Sequence, residues 1–380
     1  MKRKLYTTQI EVPKGRIDFG VGHPGWSVLP LDIIRQASEH RLSQGDALML
    51  NYGPEQGDGS FLEALAAFLT PHYGFDVDPL SLMVTGGASQ ALDMVCTFFM
   101  QPGDTIFVEE PTYFVAPLIF RDHQLNIVTV PMDEDGMNMD ALEALLAEHQ
   151  PKFVYTIPAY QNPTGITLTA ERRQRLVTLS VAHDFLIVAD EVYQMLNYTD
   201  TPPPPFAAMI DAGTVISVGS FSKILGPGMR LGWIQAGEQL LDRMVDIKFI
   251  FSGGAVSQFT AHIVRSALEL GLQEQYLQEL KQVYTERSHT LATAVQQRLG
   301  DIATFRPPAG GFFMWVELPT DIDTSTLKTL AADHDVGFQA GVNFSSDGAL
   351  RNCMRLCFTR YPNDELTEGV SRLAQVLTLR

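Results

Sequence analysis

The segment VISVGSFSKILGPGMRLGW places Lys223 just beyond an apolar, strand-like run, with Ser220 and Ser222 beside it and Arg230 after a Gly-Pro-Gly turn. A lysine in an open loop is an ordinary solvated charge. Among apolar strand and glycine turns, desolvation lowers its pKa and gives the neutral amine that forms an imine with an aldehyde. Arg230 offers a planar, two-pronged grip on a phosphate. A second run, FLIVADEVYQ, ends a strand on Asp190 and Glu191 and continues to Tyr193. Two carboxylates at a strand end suit a metal or a hydrolytic pair, yet no histidine or further carboxylate stands nearby at ligand spacing. The other reading is a buried Asp190 facing a cationic ring nitrogen.

Two turns add to these groups. VTGGASQALD is a strand, a Gly-Gly turn and a helix start with Ser89 near the cap. Alone it is a helix cap, but its free N–H groups and helix dipole suit a phosphate. PAYQNPTG sets Asn162, Pro163 and Gly165 in a sharp turn after a strand, which by itself is simple turn chemistry.

The elements that must position these residues follow from the spacing of apolar runs. From about residue 80, short apolar runs alternate with helix-length segments: SLMVT with ASQALDMVCTFFM, DTIFVEE with a turn and a helix, KFVYTIP with TAERRQRLVTLSVAHD, then FLIVADE and TVISVGS. This rhythm predicts an α/β domain with a mainly parallel sheet and helices on both faces, and most of the polar motifs fall at strand C-terminal ends, where the crevice of such a sheet opens. After Gly237 the pattern turns helical, and Glu269 to Arg298 reads as a long amphipathic stretch. The strand-like GGFFMWVEL and NCMRLCFTR and a last helix predict a small α+β domain, joined by the N-terminal residues. Pro202 to Pro205 predicts an extended surface loop.

Composition narrows the function classes. A chain of 380 residues with 45% hydrophobic and 19% charged residues has ample material for a large domain and a smaller one. The net charge of -17 repels phosphate backbones, so nucleic acid is not expected as a partner. Only Cys96, Cys353 and Cys357 occur, with no CxxC pair, which argues against a disulfide framework or a zinc site and for a reducing compartment. No segment approaches the apolar length of a membrane span, and a cytoplasmic protein is expected.

Taken together, GGASQ, EEPTY, YQNPTG, DEVY, GSFSK, GMRLGW and RNCMRLCF resemble, in content and in order, the class I/II aminotransferases, which are fold-type I pyridoxal-phosphate enzymes. The resemblance runs from about Asp18 to the C-terminus, and GSFSKILGPGMRLGW and NYGPEQGDGSFLEAL are most similar to the branch of 2-aminoadipate, kynurenine and aromatic aminotransferases. It implies an aspartate aminotransferase-like α/β fold: a large cofactor-binding domain over 51–285 with a mainly parallel seven-stranded sheet, and a small α+β domain over 286–380 to which residues 1–50 belong.

The resemblance also implies roles. Lys223 is the lysine that carries pyridoxal 5'-phosphate as an imine and shuttles the proton, and Asp190 pairs with the pyridine nitrogen. Asn162 and Tyr193 bond the ring 3-hydroxyl and Tyr113 stacks on the ring. Ala88, Ser89, Gln90, Ser220, Ser222 and Arg230 hold the phosphate. Tyr52 reaches the phosphate of a neighbouring subunit, which implies a homodimer with shared active sites. Arg355 grips the substrate α-carboxylate, with Gly22 and Asn162 lining the same pocket. The implied reaction is ping-pong transfer of an amino group from an α-amino acid to a 2-oxo acid. The alternatives are another reaction on the same cofactor (elimination, replacement, decarboxylation or carbon–carbon bond formation) and a catalytically silent sensor domain.

There are departures from the family pattern. Where dicarboxylate-specific relatives present a second arginine, DIKFIFSGGAVSQF offers only Lys248, so no strong aspartate preference is expected. His23 and Trp26 in GVGHPGWSVLP fall near the substrate mouth, with packing the expected role for Trp26.

Overall fold

The apolar runs assemble into an eight-stranded sheet in the order Leu82–Thr85, Gly232–Ala236, Val215–Ser220, Leu186–Asp190, Phe153–Thr156, Thr105–Glu110, Asn126–Asp133 and Gly136–Met137. The computed structural model describes residues 5, 7–199, 201–246, 248–253 and 256–379, without the side chains at 248, 249 and 253. The sequence reading expects seven strands. The eighth, Gly136–Met137, is a two-residue edge strand folded back antiparallel on Asn126–Asp133, too short to register as a periodic run.

Adjacent strands from Asn126–Asp133 through Thr105–Glu110, Phe153–Thr156 and Leu186–Asp190 to Val215–Ser220 pair in parallel. The interiors of Phe153–Thr156, Leu186–Asp190 and Val215–Ser220 are buried throughout, the pattern of a sheet covered on both faces. Helix Ala88–Phe99 covers the sheet, and helix Ala170–His183 starts where Thr169 accepts a hydrogen bond from the Arg172 N–H. Parallel strands end on one edge, so Asp190 and Ser220 emerge side by side. Gly232–Ala236 runs the other way, with Gly232 opposite both Ser220 and Thr85. The residues that lead into it, Arg230 among them, therefore arrive at that same edge.

A second, antiparallel sheet has the order Thr304–Phe305, Phe313–Glu317, Cys353–Cys357, Gln339–Ala340. Near it, Ile17–Asp18 forms a parallel ladder with Val336–Gly337, bringing the N-terminal segment to the C-terminal part of the chain. Helix Leu31–Ser43 lies instead along helix Gln258–Glu269, where buried Arg41 bonds Ser266 and Glu269. The expected long amphipathic stretch begins at Leu272, because Gly271 at φ +71° ends the preceding helix before Leu272–Leu299 starts. The Pro202–Pro205 segment is extended, as each residue that precedes a proline is pushed out of the helical region, and is tied to the body by Arg173 donating to the Pro204 carbonyl at 2.8 Å. Among the described residues no helix is long and apolar enough to cross a membrane.

Candidate active site

The two carboxylates that end the Leu186–Asp190 strand separate completely. Glu191 turns into the protein, where it accepts from Ser217 Oγ at 2.7 Å and from the N–H groups of Phe206 and Ala207 at 2.8 and 3.2 Å, with Arg173 at 3.7 Å. It is not half of a metal or hydrolytic pair. Asp190 turns to the sheet edge. Its Oδ2 accepts from the Tyr155 hydroxyl at 2.8 Å, while its buried Oδ1 has no hydrogen-bond partner. Burial raises the Asp190 pKa to about 6 against the pull of the Tyr155 hydroxyl, Lys223 and the Val192 N–H.

Lys223 leaves the strand Val215–Ser220 three residues on. Its Nζ stands 5.2 Å from the centre of the Phe312 ring and 5.8 Å from that of Tyr193. Desolvation lowers its pKa to about 8, with Arg355 and Arg230 adding to the shift and Cys357 and Asp190 opposing it. A substantial neutral fraction near pH 8 is what an amine nucleophile needs. Tyr193 is buried, and the charges of Arg355 and Asp190 both reach it. Half-buried Tyr113 lies within the field of the same two groups. Lys223, Asp190, Tyr193, Tyr113 and Arg355 therefore converge.

The anion end of the site lies at the Gly86-Gly87 turn. Helix Ala88–Phe99 begins at Gly87 with no side-chain cap, so Ser89 does not cap it and its leading N–H groups face outward. Exposed Arg230 lies against this turn, donating from Nη2 to the Gly86 carbonyl at 2.8 Å. Gly87 is required there: its φ is +97° and a Cβ would fall 3.0 Å from Arg230 Nη2. Gln90 turns its side-chain oxygen back onto the Gly86 N–H, and Ser220 Oγ accepts from the Ser222 N–H at 3.1 Å.

Arg355 sits in the middle of the second sheet, opposite Trp315 and Gln339, rather than on a solvated edge. Its guanidinium is buried, 4.0 Å from the Phe313 ring centre and 5.0 Å from that of Phe344. Nη1 donates to Asn162 Oδ1 at 2.8 Å and Nη2 to the Gly20 carbonyl at 3.0 Å, and Nε has no partner. A Cβ on Gly22 would meet the Phe313 ring at 3.0 Å and Arg355 Nη2 at 3.6 Å, so only glycine leaves the fork accessible. His23, half-buried beside it, has its pKa lowered to about 4 by burial and then by the charges of Lys223, Arg360 and Arg355.

Not every expected residue joins this cluster. Tyr52 is 82% exposed and Trp26 69% exposed in the single chain, and Ser89 is exposed. The side chain of Lys248 lies outside the described residues. Sequence reasoning also passed over Tyr155, which holds Asp190, and Phe313 and Phe344, which face the Arg355 guanidinium. An aromatic in KFVYTIP reads as core; only its pairing opposite Val188, two residues before Asp190, reveals the contact.

An α/β sheet that delivers a desolvated lysine, a buried half-bonded aspartate and an uncapped helix N-terminus to one edge, with an arginine closing from a second sheet, defines a fold-type I aminotransferase architecture. The Aminotransferase class I and II family pattern matches residues 15–373, and the chain belongs to that family. It is 34% identical to the aromatic-amino-acid aminotransferase 1 of Thermococcus litoralis, over 95% of this chain and 88% of that one. It is 31% identical to the 2-aminoadipate transaminase of Thermus thermophilus, over 96% and 90%. Among solved structures, the multiple substrate aminotransferase of Thermococcus profundus superposes with a TM-score of 0.90 at 32% identity, covering 97% of this chain and 92% of that one. The protein is an enzyme that transfers an amino group between an α-amino acid and a 2-oxo acid.

Proposed function

We propose that Lys223, Asp190 and Arg230 hold pyridoxal 5'-phosphate and that Arg355 presents the substrate α-carboxylate to it. The observation that carries this reading is the buried, unbonded Oδ1 of Asp190, a position that a protonated ring nitrogen satisfies. The other residues fit the same group. Asn162 and Tyr193 serve the ring hydroxyl and Tyr113 the ring face. The uncapped turn at Ala88, Ser89 and Gln90, with Ser220, Ser222 and Arg230, takes the phosphate.

Bound there, the cofactor supplies an aldehyde and an electron-withdrawing ring. Lys223 Nζ, partly neutral because it is desolvated, provides the amine that anchors it. Displaced by the incoming amino group, the same nitrogen would take the proton from the substrate Cα and hand it on to the cofactor carbon it had anchored. Asp190 keeps a negative charge against the ring nitrogen, and Tyr155 keeps Asp190 in place. Arg355, already oriented by Asn162 and the Gly20 carbonyl, fixes the α-carboxylate and with it the direction of the Cα–H bond.

The substrate side chain is expected to be neutral, aromatic or long rather than that of aspartate, with Gly22 lining the pocket. The active unit in this reading is a homodimer, supported by the exposure of Tyr52 with its chain neighbours Leu48 and Leu50, and of Trp26. The Ile17–Asp18 ladder accords with the N-terminal segment joining a C-terminal small domain, although helix Leu31–Ser43 packs on Gln258–Glu269 and residue 285 falls within helix Leu272–Leu299; three unpaired cysteines accord with the cytoplasm. The test is borohydride reduction of the cofactor-loaded protein followed by peptide mapping. The label is expected on Lys223; recovery on any other lysine refutes the assignment.

A further inference from the structure

A third buried carboxylate ties together the loops that feed this pocket. Val108 pairs with Tyr155 in the parallel sheet, which sets the next residue of each strand, Glu109 and Thr156, side by side. Glu109 is buried and accepts from three donors: the Thr156 hydroxyl, the Ile157 N–H at 3.1 Å and Gln161 Nε2 at 3.3 Å. Burial raises its pKa, while these donors and the charge of Arg173 favour the charged form. Both of its oxygens are engaged, so Glu109 does not itself mark a ligand site.

Gln161, also buried, carries the connection onward. Its Nε2 donates a second bond to the Pro111 carbonyl at 2.7 Å, and its Oε1 accepts from the N–H and the hydroxyl of Thr164 at 2.9 and 2.8 Å. A side-chain amide bonded at both donors and both lone pairs has one orientation. It joins the turn that carries Asn162 to the 109–113 loop that carries Tyr113. That turn is strained: Tyr160 stands at φ +50°, a conformation that persists only where the surroundings enforce it. The 109–113 loop is fastened in turn to the segment before the Cys353–Cys357 strand. There the Thr112 N–H donates to the Phe344 carbonyl at 3.2 Å, and Glu110 accepts from the Ser346 N–H at 2.9 Å. Phe344 faces the Arg355 guanidinium and Asn162 Oδ1 accepts from it, so both arms of this network end on Arg355.

We propose that Glu109, acting through Gln161, is a positioning residue that sets Asn162 and thereby aligns the Arg355 grip on the α-carboxylate with the cofactor ring. This rests on the aminotransferase site described above. Asn162 Oδ1 is engaged by Arg355, so Nδ2 is the end that serves the ring hydroxyl. What Glu109 supplies is an acceptor. Glu109→Met leaves the Ile157 N–H and one Gln161 N–H without a partner, and Asn162 loses its fixed orientation. Glu109→Gln retains an oxygen for both, because the Thr156 hydroxyl can turn to accept from the new amide.

The experiment takes Glu109→Met and Gln161→Met, each alone and combined with Asn162→Ala, in the cofactor-loaded protein. One readout is the dissociation constant of 4-methylvalerate, an unreactive carboxylate shaped like leucine without its amine. The other is the pH midpoint of the visible absorption of the bound cofactor. With Asn162 in place, each variant is expected to weaken the carboxylate about tenfold and to raise the midpoint by about one unit, each the equivalent of one hydrogen bond lost. The midpoint rises because an N–H donated to the ring oxygen favours its anionic form. On Asn162→Ala neither change is expected to move either readout further, since the path through Asn162 is already cut. Glu109→Gln is expected to resemble wild type. A lowered Tm with both readouts unchanged, or effects that add to those of Asn162→Ala, overturns the positioning role. If Glu109→Met does not fold, Gln161→Met carries the same comparison. Wild type that shows no visible band yet binds the carboxylate more tightly than Gln161→Met sinks the cofactor reading and leaves the positioning role standing.

Discussion

Two regions of this protein each contain a buried carboxylate and a buried arginine, and they are built to opposite ends. In one, Glu191 and Arg173 close on each other: Glu191 is met by Ser217, Phe206, Ala207 and Arg173, while Arg173 also donates to the carbonyls of Leu168, Pro204 and Pro158. In the other, Asp190 and Arg355 do not touch, and each keeps an unbonded atom, Oδ1 and Nε. Burial disfavours the charged form in all four residues. Burial and charge therefore do not distinguish a site from a structural knot. The unfilled hydrogen-bonding positions that stand beside Lys223 do, because a ligand group can complete them.

This contrast is broken most sharply by the residue between Asp190 and Arg355. Lys223→Ala is expected to reduce turnover on the order of ten-thousandfold, since one amine both anchors the cofactor and moves the proton, while leaving the far-ultraviolet circular dichroism unchanged. Activity near wild type in steady-state assays refutes that dual role. Asp190→Asn is expected to cost on the order of a hundredfold in kcat with little change in Tm, because it removes a charge that faces a ligand rather than a protein partner.

For Arg355→Met the loss belongs in kcat/KM for α-amino acids and is about a hundredfold, whereas the corresponding amines without a carboxylate should react no worse than with wild type. Equal losses for acid and amine would assign Arg355 to packing. Glu191→Gln is the mirror experiment. It leaves Arg173 buried without its anion and is expected to lower unfolding stability by about 3 kcal/mol in urea titration, with kcat per folded molecule retained. If its kcat falls as far as that of Asp190→Asn, the contrast between the two carboxylates fails.

The smallest effect sharpens the comparison through pH. The Tyr155 hydroxyl holds the Asp190 pKa down, so Tyr155→Phe lets it rise above about 6. The carboxylate is charged above its pKa and neutral below it. Cofactor retention should therefore weaken on acidification from a higher pH in the variant than in wild type, read by equilibrium dialysis between pH 5 and pH 8. Identical retention profiles would leave Tyr155 as packing only.

Much of this site was legible along the chain because its parts are local. A lysine after a buried strand, an aspartate at a strand end and a Gly-Gly turn opening a helix each carry their signal within ten or so residues, through φ/ψ preference, periodicity and turn chemistry. Asp190 ends its strand and Glu191 follows it, and the two side chains part to opposite sides. Which of the two meets the pocket is not in the local sequence. It depends on what covers the sheet, here Arg173 and the segment after the Pro202–Pro205 loop on the Glu191 side.

The sequence by itself determined the order of strands and helices along the chain, the place of Lys223 beyond a buried strand, and the family. Tertiary structure decided which polar atoms find partners. Tyr155 reaches Asp190 only through the register that sets it opposite Val188, and Arg355 is held by Gly20 and Asn162 across 335 and 193 residues of chain. Local propensity acts over a few residues, whereas satisfaction of a buried charge is settled by whatever the folded chain brings within about 3 Å of it.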